Sequence, residues 1–421
     1  AYLVNVAETL QQVVLPALQG HAHKNANDCM ETVLQLAAAL SAPDALRDTL
    51  AAIDPAADLR TQALAEGRAF EAADAAAGAL IASVRSAEAP LTRSVDAARI
   101  EAYLRAQPQG GAALRVVKAV PLPGGRSKLT ILVSIENAAS LPNELVFRQD
   151  WAAAVTGTSV AAMEFAILGR VHAAGILVPQ PLLLETGSDA LGAPFIVVSR
   201  LAGRAIGTLF DPPGAQAVRD LAEQLGRIHG LPVADFEKLP DLTERSYTHA
   251  QLREDLAKFR AGVEKLGNPL PALARYALDW LDATVEHVSS PRTLVHGDCG
   301  WHNNLTDNDR LMAVLDWEMA HLGSPALDLG WMKSATEKVM PWDAFMAIYQ
   351  RAGGPAVDAF TVDWYSIYTK LWFLNLLLQA RAAVSGGVLH DIDYTQVCAH
   401  YAPATMAHLS RAMQQALAHG R

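Results

Sequence analysis

Cysteine is scarce in this chain. Its 421 residues hold three, Cys29, Cys299 and Cys398, far apart and without a CxxC pair. An odd, scattered set of thiols argues against a disulfide framework or a thiolate zinc site and suits a reducing compartment, so a cytoplasmic location is expected. Basic residues are outnumbered, with 34 Lys and Arg against 44 Asp and Glu and a formal net charge of −10. A chain without clustered basic charge lacks the footprint that displaces counterions from nucleic acid. It equally lacks a polybasic patch for an anionic membrane surface. The opening AYLVNVAETLQQVVLPAL has no basic region and no small-residue cleavage site, so it does not read as a signal peptide. The most apolar late run, Leu371 to Leu378, is interrupted by Asn375 and followed by Gln379 and Arg381. It is too short to span a bilayer and reads as a buried helix. Neither nucleic acid nor membrane is therefore expected as a partner, and a homo-oligomer is left open.

Apolar residues make up 51% of the chain, ample for sizeable cores, and the length suits two or three domains. Residues 1–112 read as an all-helical domain, rich in Ala, Leu, Glu and Gln, with apolar residues at helical spacing as in Val33, Leu36 and Leu40. Pro16, Pro43 and Pro55 punctuate it, and AQPQGGAA is the joint to the next domain. From Leu114 the period changes to that of strands. Arg115–Pro121 and Lys128–Ile135 flank a PGGRS turn, and Glu144–Arg148 gives a third strand. A helix over Ser159–Ala173 and two more strands, Pro181–Glu185 and Phe195–Arg200, complete the run. Three strands, a helix and two strands form the pattern of a kinase-type N-lobe, over residues 113–202. Residues 203–421 read as a helical C-lobe with one small hairpin, Asn304–Thr306 and Leu311–Leu315, around the turn Asp307-Asn308-Asp309-Arg310. The expected fold is α+β: a bilobal protein-kinase-like fold behind an all-α N-terminal domain.

The hairpin carries the chemistry. His296-Gly297-Asp298-Cys299-Gly300-Trp301-His302-Asn303-Asn304 precedes it and Asp316-Trp317-Glu318 follows it. An Asp, an Asn five positions on, and a second Asp shortly after are the working set of a kinase-like phosphotransferase. If Thr306 lies opposite Leu311, Asn303 falls opposite Val314 and lies near Asp316, close enough to share one cation. Oxygen donors from one Asn and one carboxylate, completed by phosphates and water, suit Mg²⁺. Asp298, at the head of the loop, can accept a hydrogen bond from an acceptor hydroxyl and steer it in line with the γ-phosphorus of ATP.

HGDCGWHNN…LDWEMAHLGSPALDLGW resembles the aminoglycoside phosphotransferase/choline kinase-like superfamily, in which HGD-x4-N is followed by D-[WF]-E and D-L-[AG]. The likeness spans about residues 114–415. It implies that Asp298 is catalytic, with Asn303 assisting, that Asn303 and Asp316 ligate magnesium, and that Asp328 braces the catalytic loop. It implies that Arg148 takes the strand position of the phosphate-binding kinase Lys, with Glu164 as its ion-pair partner. It further implies that Gly124, Gly125 and Ser127 belong to a flap over the ATP phosphates. Val198, within Val197–Gly203, would belong to the hinge that reads adenine. Gly300, His302 and Ser324 depart from the usual His, Gly and Asp of the superfamily. His296 reads as a loop brace, His302 and His321 as neighbours of the site, and Cys299 as a packing residue.

For the acceptor, the region 340–385 offers only Asp343, Asp358 and Asp363 as acids but many aromatics, which disfavours polycationic aminoglycosides. ETLQQVVLPALQG…KNANDCMETVLQLAAAL resembles a helical module of the acyl-CoA-dehydrogenase-associated branch. That likeness implies a small-molecule hydroxyl substrate of acyl type, such as a hydroxyacyl-CoA. An antibiotic phosphotransferase, macrolide-like or aminoglycoside, and a non-catalytic pseudokinase or adaptor are the alternatives.

Overall fold

The computed structural model describes residues 48–84, 95–122, 128–150, 160–239, 241–265, 270–385 and 392–418. Helices α1 (Leu59–Val84) and α2 (Ala97–Ala106) lead into strands β1 (Arg115–Pro121), β2 (Lys128–Glu136) and β3 (Glu144–Asp150). Helix α3 (Ala161–Ala173) follows, then β4 (Pro181–Glu185) and β5 (Phe195–Ser199). These strands form one antiparallel sheet in the order β1-β2-β3-β5-β4. Side chains alternate across a strand, and here the alternation sorts the sheet into two faces. Ile131, Val133, Leu145, Phe147, Phe195 and Val197 pack with Ile100 and Leu104 of α2. Lys128, Arg148, Ile196 and Val198 belong to the other parity, which faces α3.

The C-lobe contains α4 (Ala215–His229), α5 (His249–Lys265), α6 (Ala272–Thr284), α7 (Ala326–Thr336), α8 (Trp342–Arg351), α9 (Ala359–Ser385) and α10 (Ile392–Ala418). Between α6 and α7 lie four short strands: β6 (Thr293–Val295) pairs with β9 (His321–Gly323), and β7 (Asn304–Asp307) with β8 (Arg310–Val314). Helix α9 packs on α10, α7, α6 and α5. It is central, so Trp364, Tyr365 and Ile367 are fully buried, and the aromatic density there is mostly core. Among the described residues no helix is long and apolar enough to cross a membrane.

Helices α1 and α2, both from the 1–112 stretch, serve different lobes. Helix α2 covers the sheet, whereas α1 lies on α10 and α6. Ala63 sits in the helical core, and Glu66 Oε2 accepts from the Leu273 backbone N–H at 2.9 Å. The hairpin β7–β8 is docked from both sides. Its turn residues Asn308 and Asp309 have φ of 47° and 59°, the twist of a two-residue hairpin loop. The Asp309 carboxylate accepts from the Gln216 and Ala217 amides at the start of α4 (3.1 and 3.3 Å), and Asp220 Oδ2 accepts from Leu311 N (3.1 Å). The chain leaving β5 is stitched to the same hairpin: Arg204 and Thr306 exchange backbone hydrogen bonds at 2.8 and 2.9 Å.

Gly330 lets α7 lie directly on α9, because a Cβ there would come within 2.5 Å of the Ser366 backbone nitrogen. Gly330→Ala should therefore force two helix backbones apart. A loss of about 1–3 kcal/mol is expected in urea unfolding, the usual cost of overpacking.

Candidate active site

Strand β6 ends at Val295 and releases the loop that bears Asp298. Gly297 adopts φ +84°, and a Cβ there would lie 2.5 Å from the Met319 carbonyl oxygen, so only glycine fits this bend. One carboxylate holds the bend. Asp328, fully buried near the start of α7, accepts from His296 N at Oδ2 (2.8 Å) and from Gly297 N at Oδ1 (2.9 Å). His229 Nε2 lies 3.0 Å from the same Oδ2, and its Nδ1 lies 3.0 Å from the Tyr349 hydroxyl. Burial disfavours the charge on Asp328, but His229, His296 and the Gly297 amide outweigh it and bring the pKa down to about 2. The bracing expected of Asp328 is thus present as geometry. His296 braces as well: its Nε2 donates to Leu315 O (2.8 Å), which leaves Nδ1 to accept from Asp298 N (3.2 Å).

Asp298, about a third exposed at 31%, projects from this loop. Asn303 Nδ2 donates both to Asp298 O (3.0 Å) and to Asp298 Oδ2 (2.9 Å). That fixes the amide, so Asn303 Oδ1 faces the other way. Burial works against ionisation of Asp298, yet His302, His296 and Asn303 overcome it and keep the pKa below the usual carboxylate value. His302 Nε2 stands 3.7 Å from Asp298 Oδ2, beyond hydrogen-bond reach.

The strand register differs from the expectation by one residue. Thr306 does oppose Leu311, but a bulge follows and Asn304, not Asn303, faces Val314. Two residues then oppose one at the bulge, which shifts every later pair. Asn303 is instead tied to Leu315, whose N–H donates to the Asn303 carbonyl at 2.8 Å. Asp316 comes next, in the left-handed region at φ 65°, ψ 70°. A non-glycine residue is rarely found there, and such strain concentrates at functional positions.

Two N-lobe cations meet the far side of this loop. Arg148 Nη2 lies 2.6 Å from Asp316 Oδ1 and 3.3 Å from Glu164 Oε1. Glu164 thus lies at ion-pair distance from Arg148, but its shortest contact is Lys128 Nζ, 2.6 Å from Oε2. Lys128 also lies 3.4 Å from Asp150 and 3.8 Å from Glu318. Sequence reasoning placed Lys128 at the start of a strand and gave it no role in the site. The missed signal was parity, since Lys128 and Asp150 are cross-strand partners on the face that carries Arg148. Gly124, Gly125 and Ser127 fall outside the described residues. Val198 is buried in β5, between Val146 of β3 and Pro181 of β4.

A cavity of about 230 Å³ adjoins the loop, walled by Gly297, Met319 and His321. Its aromatic wall is Phe259, Trp331, Tyr368 and Trp372, and its charged groups are Arg245, Lys258 and Asp255. Asp255 Oδ2 is already engaged by Tyr368 (2.8 Å) and Ser246 (3.0 Å). His321 is 2% exposed, and burial pulls its pKa down to about 4. Its Nδ1 donates to Met319 O at 2.9 Å, so Nε2 is a bare acceptor, unpartnered among the described residues.

The sequence profile of the phosphotransferase enzyme family matches residues 118–365, more than half of the chain. The chain belongs to that family. Human acyl-CoA dehydrogenase family member 11 is 25% identical over 173 residues, which cover 39% of this chain and only 22% of that protein. Among solved structures, a Ralstonia eutropha protein assigned provisionally as an aminoglycoside phosphotransferase aligns over 76% of this chain and 98% of its own. Its TM-score is 0.57 at 15% identity. A thermostable mutant of aminoglycoside phosphotransferase APH(4)-Ia, in ternary complex with AMP-PNP and hygromycin B, aligns over 75% of this chain and 98% of its own, with a TM-score of 0.50 at 18% identity. At these identities the two structures establish the kinase-like fold.

Asp328→Ala would strand two backbone N–H groups and the His229 ring, at about 1–3 kcal/mol for each buried donor left unpaired. A drop of several degrees or more in melting temperature should result. The pH dependence has a definite sign. The folded pKa of about 2 lies below the ordinary Asp value of about 3.9. The stabilisation from this ionisation is therefore fully present above about pH 4 and lost as pH falls toward about 2. Acid titrations of melting temperature should show that limb in the wild type and a shallower one in Asp328→Asn.

Proposed function

We propose that this phosphotransferase is an ATP- and magnesium-dependent small-molecule kinase, acting on a hydroxyl of an acyl-type substrate such as a hydroxyacyl-CoA. The supporting observation is Asn303: one side chain anchors the Asp298 carboxylate, while its backbone carbonyl is tied to the residue before Asp316. A candidate acceptor-orienting carboxylate and two candidate metal donors are thereby assembled on one loop and hairpin.

The donor set fits magnesium. Among the described residues no group of three or more His, Cys, Asp or Glu is placed to hold a metal unaided. Asn303 Oδ1 and the Asp316 carboxylate are hard oxygen donors, a partial set that phosphate oxygens and water complete in nucleotide sites. Magnesium held there would neutralise charge on the triphosphate. The chain's own task is orientation. With Asn303 on Oδ2, Asp298 turns Oδ1 toward the acceptor, takes a hydrogen bond from its hydroxyl and aims the oxygen at the γ-phosphorus. As the new P–O bond forms and the bond to the ADP oxygen breaks, the hydroxyl proton passes to Asp298.

The cavity supports an apolar acceptor with polar groups rather than a polycation. Its aromatic wall suits an acyl chain, its Arg245 and Lys258 would repel added amines, and its one acid, Asp255, is already engaged. The partial likeness to acyl-CoA dehydrogenase family member 11 supports the acyl class. An acceptor screen read by ADP release should give turnover on hydroxyacyl compounds and none on macrolides or aminoglycosides; the reverse pattern would establish the antibiotic reading.

Asp298→Ala should lower kcat by about 10²–10⁴-fold while nucleotide binding stays near wild type. Asp316→Ala should abolish the magnesium-dependent part of the thermal shift produced by ATP. For the wild type that shift corresponds to about 2.7 kcal/mol at a hundredfold excess over Kd. A wild-type protein with no magnesium-dependent shift would favour the adaptor reading.

A further inference from the structure

The mechanism above gives no task to a buried ammonium that lies beside Arg148 and Glu164. Lys128 is the first residue of β2, and its side chain is 3% exposed. Burial alone would lower the pKa of such a lysine, but the Glu164 carboxylate reverses the effect and keeps it charged. An ammonium has three donors. One is spent on Glu164 Oε2 at 2.6 Å. Asp150, at 3.4 Å, and Glu318, at 3.8 Å, stand at ion-pair distance without forming a hydrogen bond to it. Arg148, the cation that sequence reasoning favoured, is bonded through Nη2 to Asp316 and thereby turned toward the candidate metal position.

We propose that Lys128 is a second phosphate-gripping residue of this enzyme, supplied by β2 and shared with Arg148 through their common partner Glu164. The inference rests on the nucleotide-binding reading given above. The group it would bind is the polyphosphate of a nucleoside di- or triphosphate. Glu164 fixes both cations on one face of the sheet, one from each of two neighbouring strands. A phosphate oxygen would take the place beside Lys128 that Glu318, from the opposite lobe, holds at a distance. No covalent change at Lys128 is involved; its donors take up phosphate charge as the nucleotide binds.

The test is calorimetric titration of the full chain with ATP, ADP and adenosine, each with magnesium, for the wild type, Lys128→Met and Lys128→Arg. A charged hydrogen bond to phosphate corresponds to about a 10–100-fold change in Kd. Lys128→Met should weaken ATP and ADP by that factor, leave adenosine unchanged, and be largely rescued by Lys128→Arg. A Met variant that binds ATP like the wild type overturns the inference, as does one that loses adenosine and ATP in equal measure, since a purely structural lysine would do that. If Met impairs folding, Lys128→Gln is read in the same way by its ratio of ATP to adenosine affinity. A wild type that binds no nucleotide would instead remove the underlying functional reading and this inference with it.

Discussion

The loop that bears Asp298 depends on a buried negative charge. Asp328 sits in the interior with no exposed surface, where an isolated carboxylate would be strongly disfavoured. It is tolerated because two backbone N–H groups and a histidine ring converge on its two oxygens. Its place in the first turn of α7 adds a favourable helix-end field. The same bonds hold His296 and Gly297 in the bend that turns Asp298 outward. Stability and site geometry therefore share a single group: removing the acceptor would unfasten the loop and leave its donors unpaired.

Around that anchor, the site is closed by polar contacts between lobes. Arg148 of β3 reaches Asp316, and Lys128 of β2 faces Glu318, both across the gap between the sheet and the Asp-Trp-Glu turn. These pairs are partly shielded from water, so their attraction exceeds that of surface pairs, but desolvation offsets much of it. Such contacts can be exchanged for a ligand's charges at modest net cost. A packed apolar seam could not be exchanged in that way. The left-handed backbone of Asp316 fits the same picture, since its strain is held by the hairpin on one side and Arg148 on the other.

Family membership says more about the fold than about the acceptor, because one fold serves many substrates through differences in its grafted pockets. The acceptor question passes to the cavity beside Gly297, whose walls come from α5, α7, α9 and the β8–β9 segment. Tyr368 and Trp372 line it, whereas Trp364 and Tyr365 on the same helix are core. The relatives in the acyl-CoA dehydrogenase group are much longer proteins, and the stretch aligned here covers about a fifth of their length.

By itself the sequence determined the element order, because alternation along β1–β5 and helical spacing beyond residue 215 are local patterns. It also determined the identity of the loop residues, since Asp298, Asn303, Asp316 and Asp328 are recognised by spacing along one chain. Three matters were decided only by the tertiary structure. The bulge that moved Asn304 opposite Val314 depends on how the hairpin docks against Arg204 and Asp220, contacts far away in sequence. The choice of Lys128 as the nearest partner of Glu164 depends on two strands and a helix meeting on one face. The division of α1 and α2 between the two lobes depends on which apolar surface each helix can cover, and no local period records that. Local chemistry is written residue by residue, whereas these pairings are selected by burial and charge balance across the whole fold.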